Sequence, residues 1–189
     1  MNFKTDNRSL KLATSLAKNL ITHKEALHIL SHYPHPNVRE IVAIHKNTHQ
    51  DTLHKLSDHT DSLNTWRVRE LVALNNNTHQ DTLHKLSDDP DYRVRWGVAE
   101  NNNTHQDTLH KLSDHTDPLN TVSVRKAVAS HKNTHQDTLH KLSDDPNLYV
   151  RKEIASNNNT HQDTLHKLAS DPDLGIRRVA KQRLAQLTR

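Results

Sequence analysis

Residues 78–86 read THQDTLHKL, and the same nine letters stand at 48–56, 104–112, 134–142 and 160–168. Aligned on its first letter, the string places Thr22, Thr48, Thr78, Thr104, Thr134 and Thr160 at spacings of 26, 30, 26, 30 and 26 residues. Short and long units alternate. A period of 20–50 residues is the mark of a solenoid. A catalytic site is needed once, whereas a string written on every unit builds a frame.

Each unit reads as two short helices. In the first, Thr78 stands three residues before Asp81, the spacing of a capping box in which the hydroxyl takes a backbone N–H and the acid reaches back. Thr22 and Glu25 keep that offset in the first copy. Leu83, Leu86 and Ser87 follow at i, i+3 and i+4, a narrow face that predicts burial. The serine column (Ser31, Ser57, Ser87, Ser113, Ser143) becomes Ala169 in the last unit, so it reads as a small packing position rather than a nucleophile. Asp88-Asp89-Pro90 predicts the start of the second helix, with aspartate as cap and proline at the first helical position. Val94, Val98 and Ala99 then point inward, and Asn101-Asn102-Asn103 is expected to make a left-handed turn into the next unit. Long units insert four residues before the second helix, as in HTDSLNT at 59–65.

Composition agrees with a stack of thin units. Hydrophobic residues make up 32% and aromatic residues 3% of the chain, little for a globular core but enough for an apolar stripe on each unit. With no cysteine, disulfides, thiolate metal sites and cysteine nucleophiles are excluded. No secretory signal and no membrane span is read, so a soluble, cytoplasmic, monomeric chain without cofactor is expected. The net charge of +4 permits an acidic partner without demanding one. Protonating all 18 histidines would raise it to +22, so the charge should climb steeply below pH ~6.5.

The stretch VRWGVAENNNTHQDTLHKL at 94–112, with Asp88-Asp89-Pro90 ahead of it, resembles the variant leucine-rich repeat family. The pattern of that family runs V-R-x-x-V-A-x-N-x-x-T-P, then paired leucines and an Asp-Pro. The resemblance covers nearly all of residues 10–189 and implies an all-α, right-handed, HEAT-like solenoid of two-helix repeats without β-sheet. His79 and His105 stand where the family has proline, and the four-residue insertions are unusual. Some members carry a cysteine-bound iron–sulfur module, which a chain without cysteine does not hold. The family describes a shape and fixes no activity. In its register, residues 1–21 form an N-terminal capping half-repeat, with Leu12, Leu16 and Ala17 in the Val94, Val98 and Ala99 columns. Residues 22–174 are the repeats and 175–189 a C-terminal capping helix, all in one continuous solenoid.

Two sets of polar residues recur. One arginine per unit (Arg39, Arg69, Arg95, Arg125, Arg151, Arg177) could line a phosphate-binding ladder. The preferred reading pairs it with the aspartate six residues earlier, Asp89 with Arg95 or Asp145 with Arg151, as a stitch between units. Histidines fall in two columns, one represented by His49 and His79, the other by His54 and His84. Within a unit the two lie five residues apart and point about 140° apart on a helix, which does not suit a metal. Packing is the expected role, and no metal site or catalytic triad is expected.

Function is read from where the copies differ. Between residues 48–103 and 104–159, 15 of 56 positions change, none of them in the THQDTLHKLSD strings. Counted from Val68, Val94, Val124 and Val150, the changes gather at columns −2, −1, +2, +3 and +6, on the helix side away from the core. That face holds Trp66, Arg67, Glu70, Leu74, Tyr92, Arg93, Trp96, Glu100, Lys126, Tyr149 and Lys152. Both tryptophans and two of the three tyrosines are there, and Trp, Tyr and Arg dominate binding hot spots. Column +3 has a plainer reading, packing against the next second helix. The expected function is a non-enzymatic scaffold that binds a protein or peptide. The alternative is nucleic acid bound along a line of Arg67, Arg93, Lys126, Lys152 and Arg178, with the aromatics stacking on bases.

Overall fold

The computed structural model describes residues 6–19, 21–58, 65–114, 118 and 120–187. Thirteen α-helices and no strand occur among them. After α1 (Asn7–Lys18), the first helices of the units are α2 (Lys24–Leu30), α4 (Gln50–Leu56), α6 (Gln80–Leu86), α8 (Gln106–Leu112), α10 (Gln136–Leu142) and α12 (Gln162–Leu168). The second helices are α3 (Pro36–Ile44), α5 (Trp66–Leu74), α7 (Tyr92–Glu100), α9 (Val122–Ser130), α11 (Leu148–Ser156) and α13 (Leu174–Leu187). Most of the inserted stretch at 59–65 lies outside the described residues.

Two compact units share the chain, residues 1–103 and 104–189. In the first, α1, α3, α5 and α7 pack side by side, and each of α2, α4 and α6 bridges two consecutive second helices. In the second, α9, α11 and α13 make the same row, bridged by α10 and α12. The core is the seam between rows: Leu83, Val94, Val98 and Ala99 are fully buried, as are their counterparts Leu139, Val150, Ile154 and Ala155. Two leucines per seven-residue helix suffice because every unit repeats the same burial.

Almost every letter of the constant string has a structural task, though some differ from expectation. The threonine is no N-cap. Thr48, Thr78, Thr134 and Thr160 are buried and donate their hydroxyls, each at 2.6 Å, to the carbonyls of Val42, Val72, Val128 and Ile154 at the end of the preceding second helix. The capping falls one residue later, where Nδ1 of His49, His79, His105, His135 and His161 accepts the N–H two residues on at 3.3–3.4 Å. The sequence offers two adjacent acceptors at the helix start, and the buried threonine is drawn to the nearer orphan carbonyl. Thr134→Val keeps the shape and removes only this tie. It is expected to cost about 1 kcal/mol, read from the denaturation midpoint.

The second histidine column is a ladder between units. Nδ1 of His28, His54, His110 and His140 lies 2.8–3.0 Å from Oγ1 of Thr52, Thr82, Thr138 and Thr164 in the next first helix. The serine column packs as expected: Ser57, Ser87, Ser113 and Ser143 are buried, each donating to the histidine carbonyl three residues back at 2.6 Å.

The turns depart further from expectation. Among the described residues none has positive φ; Asn101 is extended at φ −75°, ψ 123°, so it does not make the expected left-handed turn. Asn101 works through its side chain instead. Its amide donates to the carbonyls of Ala73 and Asn75 at 2.6 and 2.9 Å, and its Oδ1 accepts Asn103 N at 2.9 Å. Asn157 repeats this with Ala129, His131 and Asn159. His45 does the same task with a ring: Nδ1 accepts Asn47 N at 3.0 Å and Nε2 donates to the Asn19 carbonyl at 2.9 Å.

The second helix starts two residues beyond Asp-Asp-Pro, with Asp91 or Asn147 as the side-chain cap. That frees Asp89 and Asp145 for another partner. The carboxylate of Asp145 takes Nε and Nη2 of Arg125, twenty residues earlier, at 2.6 and 3.3 Å, not the expected Arg151. Arg151 donates instead to the main-chain carbonyl of Asp145 at 2.8 Å and sends its Nε to Asp171 at 2.7 Å. Asp89 likewise pairs with Arg69 through its carboxylate and with Arg95 through its carbonyl. The ladder exists, with each rung one unit longer than a local reading gives.

Burial raises the Asp171 carboxyl, but the hydrogen bonds from Arg151 and the Asp173 N–H outweigh it, and the net shift is downward. A depressed acid stabilises the fold above its unfolded value of about 3.9 and loses that contribution as pH falls through the folded value. The stability gap between the native chain and Asp171→Asn is therefore expected to be open at pH 7 and to narrow as pH falls below the unfolded value of about 3.9, measured by denaturant titration at neutral and acid pH.

At the amino end, Leu12 and Leu16 do not join the core despite their register. They are 71% and 43% exposed, while Ala13 and Ala17 of the same helix are buried. Each of α3, α5 and α7 also packs against the first helix that precedes it, and among the described residues no helix precedes α1.

Candidate functional site

The predicted face falls in two sets, one in each compact unit. In the first unit, α5 and α7 lie close together. A Cβ on Gly97 would stand 3.1 Å from the Ala73 Cβ and 3.3 Å from the Glu70 carbonyl, so the absent side chain lets the helices approach. Column +3 is thus partly a packing column, and Ala127 is buried there too.

This approach aligns the first turns of the two helices. The Arg93 guanidinium sits 4.4 Å from the Trp66 ring centre and 5.0 Å from that of Tyr92. Trp66 and Tyr92 remain 38% and 41% exposed, so the stack is a surface feature. Arg93 is steadied by Asp91 Oδ2 at 3.3 Å. Arg67 donates to Glu70 Oε2 at 2.6 Å, and Glu70 is buried beneath it rather than open to a partner. Trp96 is half-buried beside Gly97, while Leu74 and Glu100 are exposed at the far ends of their helices. The result is a patch of aromatic rings and guanidinium on the first turns of α5 and α7, with exposed Glu100 at the far end of α7. Rings of this kind offer large contact area with few rotatable bonds, and a stacked arginine is already ordered.

In the second unit, α9 and α11 carry a different set. Lys126 Nζ lies 3.5 Å from Glu153 Oε1. Tyr149 is 59% exposed, Lys152 is exposed, and Val122 and Leu148 add apolar surface that the expected site did not include. Their signal was their column, the same as Trp66 and Tyr92, rather than their residue type. Asp91 was also missed; its place two residues before Arg93 was the available clue.

The recurrent histidines and arginines belong to the frame described above. Among the described residues, no group of three or more His, Asp or Glu is arranged to hold a metal ion. No helix among them is long and apolar enough to cross a membrane.

Residues 66–91 match the model of the family described as leucine rich repeat variant. No curated protein matches the sequence. Among solved structures, one described as a leucine-rich repeat variant with a novel repetitive protein structural motif is similar, with a TM-score of 0.67 and 24% identity. That similarity covers 96% of this chain and 67% of that one. Two designed armadillo repeat proteins, the second in complex with the peptide (KR)4, give TM-scores of 0.40 and 0.43 at 18% identity, covering 97% of this chain and 95% of each of theirs. Likenesses that distant have no bearing on what this chain binds. The matched segment is one of a series of like units along the sequence, and the chain is an all-helical repeat protein similar in fold to a leucine-rich repeat variant.

Proposed function

We propose that this chain is a non-catalytic scaffold that binds a protein or peptide partner through the exposed faces of its second helices. The observation that carries this reading is the Trp66–Arg93–Tyr92 stack, held on a frame that does not vary. Hot spots are rich in these residue types, and an anchor that is ordered before binding loses less entropy on binding. The anchors are Trp66, Tyr92 and Trp96 in the first unit and Tyr149 in the second. Arg67, Arg93, Glu100, Lys126 and Lys152 set the charge the partner must match.

Trp96→Ala is expected to weaken partner binding by at least ~2 kcal/mol, about thirtyfold, with the helical circular dichroism unchanged. An unaltered affinity in a calorimetric titration would remove Trp96 from the site. Ion pairs weigh against nucleic acid on this face, since Arg67, Arg93 and Lys126 are each balanced by a neighbouring acid. A nucleic-acid complex would weaken steeply with added salt, whereas one anchored by aromatic rings would change little.

A further inference from the structure

The frame uses its guanidinium groups in one manner. Arg69, Arg125 and Arg151 each hold a carboxylate side-on, with Nε 2.5–2.7 Å from one oxygen and Nη2 3.2–3.3 Å from the other. Nη1 of Arg125 and of Arg151 goes elsewhere, to a main-chain carbonyl. A two-point grip of this kind suits the planar fork and is stronger than a single contact.

Arg93 has the same three nitrogens with one partner missing. Its Nη1 takes Asp91 Oδ2 at 3.3 Å, while Nε and Nη2 have no acceptor among the described residues. The side chain is 42% exposed and neither nitrogen is buried, so that edge meets water. Trp66 and Tyr92, with ring centres 4.4 and 5.0 Å from the guanidinium carbon, hold the group in place. An arginine steadied this way loses little freedom on taking an anion.

The acids nearby leave that edge open. Asp91 is the cap of α7 and reaches Arg93 through Nη1 alone. Glu70 is buried and spends Oε2 on Arg67, and Glu100 lies at the far end of α7. The helix α5 starts after Thr65 with no side-chain cap, so its positive end adds to the attraction for an anion beside Trp66.

Given a protein partner on this face, we infer that Arg93 takes a side-chain carboxylate, Asp or Glu, from an otherwise apolar peptide segment. The acid closes the Nε–Nη2 edge as Asp145 closes that of Arg125, and its apolar neighbours lie on the Trp66 and Tyr92 rings. A polyanion would need excess positive charge, which Asp91 and Glu70 remove. A single carboxylate needs only the open fork.

Random peptides displayed on phage would be selected on the whole chain, with Arg93→Gln as a parallel target. The sequences enriched on the native chain are expected to share an acid flanked by apolar residues. The leading peptide, synthesised with blocked termini, should lose about tenfold in affinity when its acid is changed to the amide, and as much against Arg93→Gln. Both changes together should lose no more than either alone. Arg93→Lys keeps the charge and removes the fork, so it should also lose most of the affinity, with circular dichroism unchanged in both variants. Losses that add in the double change, full affinity for Arg93→Lys, or peptides that need Trp66 and Tyr92 but no acid would overturn the inference and leave the second-helix face standing. Peptides indifferent to Trp66→Ala and Tyr92→Ala, or no enrichment at all, would overturn both.

Discussion

Arg125→Ala is expected to destabilise the carboxyl-terminal unit by about 3–5 kcal/mol. Asp145 is almost wholly buried, and its carboxylate takes Arg125 at 2.6 and 3.3 Å together with the Asn147 N–H at 2.8 Å. Removing the guanidinium leaves a carboxylate out of water with one backbone donor, a state far costlier than losing the pair together. The double variant Arg125→Ala, Asp145→Asn should recover much of the loss. Chemical denaturation of both variants at neutral pH checks this, and a single variant within 1 kcal/mol of native stability would count against the buried-rung geometry.

Leu139→Ala should cost about 2–5 kcal/mol through the cavity it leaves. Leu139 is fully buried in a seven-residue helix that has only Leu142 as its second large apolar anchor. The helix is too short to hold itself together. Gln136→Ala, on the exposed side of the same helix, should stay within about 0.5 kcal/mol. The contrast, read from two denaturation curves, tests whether these first helices are kept in place by their leucines.

The sequence revealed what depends on local period. Leu83 and Leu86, or Val94 and Val98, lie at offsets that only a helix brings to one face, and their burial follows. It misled where the partner sits one repeat away. Asp89 and Arg95 are near in sequence, yet the carboxylate turns back to Arg69, because Asp89 lies in the turn between helices and faces the previous unit. Thr78 and His79 are adjacent acceptors at a helix start, and no local rule says which will cap and which will tie the preceding helix. Asn101 was read for its backbone tolerance when its side-chain amide was what mattered.

The candidate face was legible in part. Comparing the copies picked out Trp66, Tyr92 and Arg93 by column, and the structure stacks them. The same comparison included Glu70, which is buried under Arg67, and Gly97, whose variation answers to the spacing of α5 and α7. Tolerance to change marks exposure and loose packing alike, and only geometry separates the two.

The chain supplies its own test of the central claim, that the frame carries the fold and the unlike side chains carry the binding. Trp66, Arg67, Glu70, Tyr92, Arg93 and Trp96 can be replaced together by their counterparts in the second double unit, Val, Ser, Lys, Leu, Tyr and Lys. Thermal unfolding and affinity capture from a cell extract would be measured side by side with the native chain. The midpoint should stay within about 5 °C of the native chain, and the proteins captured by the native chain should be lost. A collapsed midpoint, or an unchanged set of captured proteins on a folded variant, would contradict it.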